Sequence, residues 1–191
     1  EAGNNLPAVT NPDSSMLASP ATQNSALAVA SVNAVSPAYY LVASDGTKIF
    51  YKEATVEGKT LLASLNATLE YVDCGYGSPS DFDTALTETG LTTLEGKIAL
   101  VQRGVAEGDS SQLTFEQKVD NAYAKGAEAI LVYDNVVSES LTDMGGITKT
   151  DIGSVFISKA DGEKLLSLGD QRVTVGQTQW EDGALTMSDF S

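Results

Sequence analysis

Two uninterrupted apolar runs, Ile98-Ala99-Leu100-Val101 and Ala129-Ile130-Leu131-Val132-Tyr133, separated by a segment of helical period, constrain this chain more than any other feature. A strand that is apolar at every position must be covered on both faces, which is the habit of parallel strands. Between the runs, Thr114 offers a hydroxyl to the first turn of a helix and Gln117 reaches back to it, a capping-box pattern. Phe115, Val119 and Ala122 recur at i, i+4 and i+7 and so share one stripe. Gly126 stands where such a helix ends. Strand, helix and strand make a βαβ unit, so the two strands are expected to run parallel with a right-handed crossover.

The surroundings are built from shorter pieces. Tyr39–Ala43 and Lys48–Tyr51 flank Ser44-Asp45-Gly46-Thr47, where Asp-Gly suits the tight turn of a hairpin. Leu27–Val32 and Leu69–Val72 read as further strands, and Cys74 to Gly90, with Gly75, Gly77, Pro79 and scattered acids, as a long irregular loop. After the βαβ unit comes a short strand, Val155-Phe156-Ile157. Ser158 and Asp161 then cap a second helix carrying Leu165 and Leu166, Gly169 closes it, and Arg172–Val175 is the last strand. Residues 1–25 have neither period and read as loop. The pattern is that of an α/β module with short strands and two helices.

Composition narrows the chemistry. The 191 residues contain no His and one Cys, Cys74. A Ser–His–Asp or Cys–His engine is therefore excluded within the chain, as are a His-based zinc site and an intrachain disulfide. With 11 basic and 26 acidic residues the formal charge is −15, which repels phosphate backbones and argues against nucleic acid as a partner. No apolar stretch approaches the roughly 20 residues of a membrane span.

The middle of the chain resembles a protease-associated (PA) domain. The resemblance is carried in order by Gly96–Gly104, Phe115–Ala122, Lys125–Asn135 and Val155–Gly162. It implies an α/β (α+β) PA-domain fold, a short-stranded β-sandwich or open barrel with a βαβ unit and two flanking helices. The flanks are similar to the subtilisin-like serine proteases: Ala2-Gly3-Asn4, Ser19-Pro20-Ala21 and Leu27–Val32 at one end, Met187–Ser191 at the other. The nearest group is that of the Gram-positive cell-envelope subtilases, such as lactocepin and C5a peptidase. The resemblance then divides the chain into an N-terminal flank of the catalytic domain (residues 1–35), a PA domain (36–178, best matched over 70–176) and a returning flank (179–191). It implies that Asn4 is the oxyanion-hole donor of the intact protease and that Ala2 and Gly3 line its substrate cleft. It implies no metal and no cofactor, a location outside the cell or in the bacterial cell envelope, and two kinds of partner: the rest of the catalytic domain and protein or peptide substrates. The flanks are expected to lie near one another, pairing together or, by strand exchange, with another copy of the chain. The fragment itself is not expected to be catalytic, because the triad residues fall outside it.

Two other readings stand beside this one. A free-standing module could capture peptides on its loops, and an enzyme could work with carboxylates alone, such as Asp81 and Asp83. Asp81-Phe82-Asp83, and Glu139 with Asp143, lack the spacing of a calcium loop and read as solvated acids. The loops expected to carry recognition are residues 73–95, 104–113 and 134–152, whose acidity would favour basic substrate segments. Arg103, at the turn after a strand, reads as a structural anchor.

Overall fold

A computed structural model of the chain describes residues 32–33, 37–105, 112–138, 140–180 and 186–187. In chain order the strands are β1 (Val32–Asn33), β2 (Pro37–Ala43), β3 (Lys48–Phe50), β4 (Lys52–Glu53), β5 (Thr68–Asp73), β6 (Lys97–Gln102), β7 (Ala129–Tyr133), β8 (Gly153–Ile157), β9 (Arg172–Trp180) and β10 (Thr186–Met187). The α-helices are α1 (Pro79–Thr89), α2 (Phe115–Ala124) and α3 (Lys159–Ser167), and a 3-10 turn spans Leu62–Leu65. The chain divides into two units, residues 38–179 and the two chain ends together. In the smaller one, β1 and β10 pair antiparallel, Val32 opposite Met187 and Asn33 opposite Thr186.

In the larger unit eight strands form one sheet in the order β3-β2-β9-β5-β6-β7-β8-β4. The four strands β5 to β8 are mutually parallel, with Ile98 opposite Ala129 and Leu131 opposite Val155, as the apolar runs require. The remaining pairs with a defined register, β2–β3, β5–β9 and β4–β8, are antiparallel. The two edge strands, β3 and β4, are separated in sequence by Tyr51 alone. The sheet must therefore curl until its edges meet, which makes it a nearly closed barrel. Tyr51, between the two edge strands, is tied to β2: its N–H donates to Tyr39 O at 3.2 Å and its ring stacks on Tyr39 at 6.1 Å.

Alternation along the central strands feeds two cores. Ile98 and Leu100 pack with Leu41, Ile49, Tyr71 and Leu165, and Ala99 and Val101 pack with Phe82, Val119 and Ala122. The capping box expected for α2 is present, Thr114 Oγ1 accepting from Gln117 N at 3.2 Å and Gln117 Oε1 from Thr114 N at 2.9 Å. α3 is capped by Ser158, which accepts from Asp161 N at 3.1 Å. It lies so close to the sheet that a Cβ on Gly162 would stand 2.2 Å from Tyr133 Cγ.

Three local readings change. The segment 74–90 contains α1, so there are three helices where the sequence suggested two. Ser78 and Asp81 cap each other, Pro79 opens the first turn, and Gly90 closes the helix at φ +69°. In the hairpin only Gly46 takes positive φ (+86°), and Gly46 N donates back to Ala43 O at 2.9 Å, so one left-handed residue suffices. α3 ends through Leu168 in an extended conformation, so Gly169 is not its stop. Of the strand expected over residues 27–32, only Val32 lies among the described residues.

Candidate functional site

In a parallel sheet the loops leaving the carboxyl ends of neighbouring strands converge, and ligands bind there. In this chain the loops after β5, β6 and β7 meet the start of α2. A cleft of about 580 Å³ opens among Arg103 and Gly104 after β6, Gln112 to Phe115 and Lys118 at α2, Asn135 and Val136 after β7, and Gly145.

Its walls are fixed by buried polar bonds. Lys118 is 1% exposed, and its ammonium donates to the carbonyls of Tyr76, Gln102 (3.0 Å) and Gly104 (2.9 Å). Three donors thus meet three acceptors, from the loop after β5, the end of β6 and the loop after β6. Burial pulls the amine down to about 8, with Asp81 acting in the opposite sense. One turn on, Asn121 Nδ2 donates to Gly77 O at 2.9 Å. Gly77, at φ +76°, lies so close to the sheet that a Cβ would stand 3.2 Å from Val101 Cγ1.

The loops after β6 and β7 are joined by a second pair. Arg103 Nη1 donates to Asp134 Oδ1 at 3.1 Å and to Thr142 Oγ1 at 3.4 Å. The same Asp134 oxygen accepts from Asn135 N (2.8 Å) and Val136 N (3.3 Å). The loop that follows is pinned by buried Met144, Ile147 and Ile152, and by Glu116, which accepts from Thr148 N at 2.7 Å. Leu113, Phe115 and Val136 give the cleft apolar surface. Phe115 stands edge-on to Phe156 at 6.0 Å, whereas Val136 and its neighbour Val137 face solvent.

Among the described residues no group of three or more His, Cys, Asp or Glu is placed to hold a metal ion. Asp81 caps α1 and Asp83 pairs with Lys125 at 2.6 Å. Two positions apart on a helix, these carboxylates point away from each other, so they do not form a catalytic pair. Asp143 pairs with Lys52 at 3.0 Å, and Glu139 lies outside the described residues. Burial, with Asp73 and Asp81 adding to it, pushes the Cys74 thiol up to about 12, far from the nucleophilic range.

Asn4, Ala2 and Gly3 lie outside the described residues. Of the loops expected to carry recognition, 134–152 borders the cleft, and 104–113 does so at Gly104, Gln112 and Leu113, its residues 106–111 being outside the description. The segment 73–95 contains α1, residues 79–89. Arg103 is the anchor its position suggested. Lys118 was missed, although it sits with Phe115, Val119 and Ala122 at i+3 of the buried stripe.

Comparison with known proteins gives three results. The family described as PA domain matches residues 27–165. Among relatives, the chain is 30% identical over 129 residues to the minor extracellular protease Vpr of Bacillus subtilis, covering 66% of this chain and 14% of that protein. It is 34% identical over 127 residues to aminopeptidase YwaD of the same organism, covering 65% of this chain and 24% of that protein. The chain thus spans a quarter or less of the length of these relatives. The fold also resembles that of the subtilisin-like protease Apa1 of Pseudoalteromonas sp. AS-11, with a TM-score of 0.50 and 19% identity over 81% of this chain and 36% of that one.

Proposed function

The chain belongs to the PA domain family, and from that premise we propose that it is the PA domain of a secreted, subtilisin-like serine endopeptidase of the cell-envelope type represented by lactocepin and C5a peptidase. Its role in that protease is to govern which protein substrates reach the catalytic cleft. The observation that carries this reading is the cleft at the carboxyl ends of β6 and β7, which offers fixed walls, apolar surface and hydrogen-bond donors. The flanks 1–35 and 179–191 are the protease's own sequence, so the partners are the rest of its catalytic domain and the substrate. Asn4 then serves the parent by presenting a side-chain amide to the oxyanion of the tetrahedral intermediate, with Ala2 and Gly3 beside the bound peptide. In subtilisin the loss of one such donor lowers kcat about 10²–10³-fold. The pairing of β1 with β10 supports an insertion, because inserted domains enter and leave at neighbouring points. The extracellular relative supports location outside the cell.

The test is made in the intact protease. Val136→Asp is expected to lower kcat/KM on protein substrates at least tenfold and to leave hydrolysis of a short chromogenic peptide unchanged. Equal effects on both substrates, or on neither, overturn the role. Identity to an aminopeptidase favours a second reading, a PA domain within an aminopeptidase. A Gly-Thr-Ser-Met-type serine segment downstream in the gene decides for the endopeptidase.

A further inference from the structure

We infer that the cleft recognises an extended peptide segment in which a carboxylate lies next to an apolar side chain; this rests on reading the cleft as the recognition site. The overall charge of −15 points the other way, toward basic partners. At physiological ionic strength, however, charges beyond about 8 Å are largely screened, so the groups that touch the ligand decide. The described residues lining the cleft include no Asp or Glu, and of their two cations Lys118 is buried against three carbonyls while Arg103 is open. Asp134, which touches Arg103, has a side chain only 3% exposed, and its Oδ1 is taken up by three donors.

Arg103 is the recognition element. Among the described residues its side-chain hydrogen bonds run through Nη1, to Asp134 and Thr142, and its side chain remains 39% exposed. Among the described residues, Nε and Nη2 make no hydrogen bond. Their parallel N–H groups form the flat fork that matches the two oxygens of a carboxylate. Asp134 holds the guanidinium from its other side, so the fork is oriented before a ligand arrives. Beside it lie Leu113 and Phe115, and at the rim Val136 leaves apolar surface uncovered, its chain neighbour Val137 being 90% exposed. A cleft of about 580 Å³ is within the range of sites that enclose a ligand of a few residues' bulk. The carboxylate could belong to an internal Glu or Asp or to a peptide's C-terminus, since the fork reads the same chemistry in both.

The experiment measures binding of fluorescently labelled peptides to the full 191-residue chain by anisotropy. The probes are Ac-Gly-Val-Leu-Glu-Val-Gly-amide, its Gln and Lys counterparts, and Ac-Gly-Val-Leu-Val with a free or amidated end. A charge-assisted bidentate contact predicts that the Glu peptide binds roughly tenfold or more tightly than the Gln peptide. Arg103→Lys, which keeps the charge and loses the fork, should abolish that preference, and Val136→Asp should weaken every probe. Preference for the free-ended peptide over its amide, without preference for internal Glu, assigns the fork to C-termini. Equal binding of all probes, or tighter binding of the Lys peptide, overturns the inference and leaves the recognition cleft standing. If no probe binds, both fall. Should Arg103→Lys lower the urea midpoint, the Glu-to-Gln comparison on the unmodified chain still decides.

Discussion

Replacing Gly162 by Ala tests the packing of α3 on the sheet. A glycine inside a helix ordinarily costs about 1 kcal/mol against alanine, so propensity alone predicts a gain. Geometry predicts the reverse. The new Cβ would lie 2.2 Å from Tyr133 Cγ, 2.4 Å from its Cβ and 2.5 Å from its Cδ2, whereas carbon atoms rest at about 3.5–4.0 Å. A gap of more than about 1 Å must open. Tyr133 cannot supply it, because β7 is paired with β6 on one side and β8 on the other. α3 must lift, and that stretches the 2.7 Å bond from the buried Tyr71 hydroxyl to Leu165 O. Overpacking costs roughly 1–3 kcal/mol, and a buried hydroxyl left without its partner about 1–3 more. After subtracting the propensity gain, the net loss is about 1–5 kcal/mol, and its midpoint of about 3 kcal/mol corresponds to a fall in Tm of roughly 10 °C for a chain of this length. Urea unfolding followed by far-UV circular dichroism should show a lower midpoint at unchanged slope. Gly145→Ala and Gly169→Ala, where a Cβ meets open space, should stay within about 0.5 kcal/mol. A Gly162→Ala chain as stable as the parent, or more so, refutes the close approach of helix and sheet.

Ser78→Ala removes the side-chain cap of α1 and should cost about 1 kcal/mol, with faster amide exchange confined to the first turn; an unchanged midpoint counts against the cap. Lys118 has a folded value near 8 and an ordinary value of 10.5, so between those pH values the unfolded chain holds the extra proton. Its contribution to stability therefore rises with pH across that window, and the difference between the urea midpoints of the parent and of Lys118→Met should rise with it. A flat difference refutes the buried amine. Cys74 shifts in the opposite sense, from an ordinary 9.0 to about 12, so its contribution is complete below pH 9 and is lost progressively above it. At pH 8 a disulfide reagent such as Ellman's should label the urea-unfolded chain fully and leave the native thiol untouched; rapid native labelling would contradict its burial.

The elements legible in the sequence are those whose signals are local and agree with each other. β6, α2 and β7 each combine an unbroken period with a cap or a terminating glycine. α1 had its cap, Ser78-Pro79 with Asp81, and its stop, Gly90, but its buried face is only Phe82, Ala85 and Leu86. Gly75 and Gly77 just ahead of it gave the segment the composition of a loop. The cleft was harder to read because its fixing bonds span large separations. Arg103 meets Asp134 31 positions away, and Lys118 meets Tyr76 O across 42. A lysine three residues past the start of a helix-forming run reads as solvent-facing unless the stripe is followed through i+3. The curl of the sheet likewise depends on β4, two residues long, finding β8 a hundred positions on.

That curl has a consequence for how the module keeps company with other chains. An open sheet border can recruit a passing extended polypeptide as an extra strand and start an aggregate. Here the two borders are three and two residues long and are joined through Tyr51. Neither gives an incoming strand enough backbone to register on. Main-chain pairing, which accepts almost any sequence, is thereby denied a foothold at both borders.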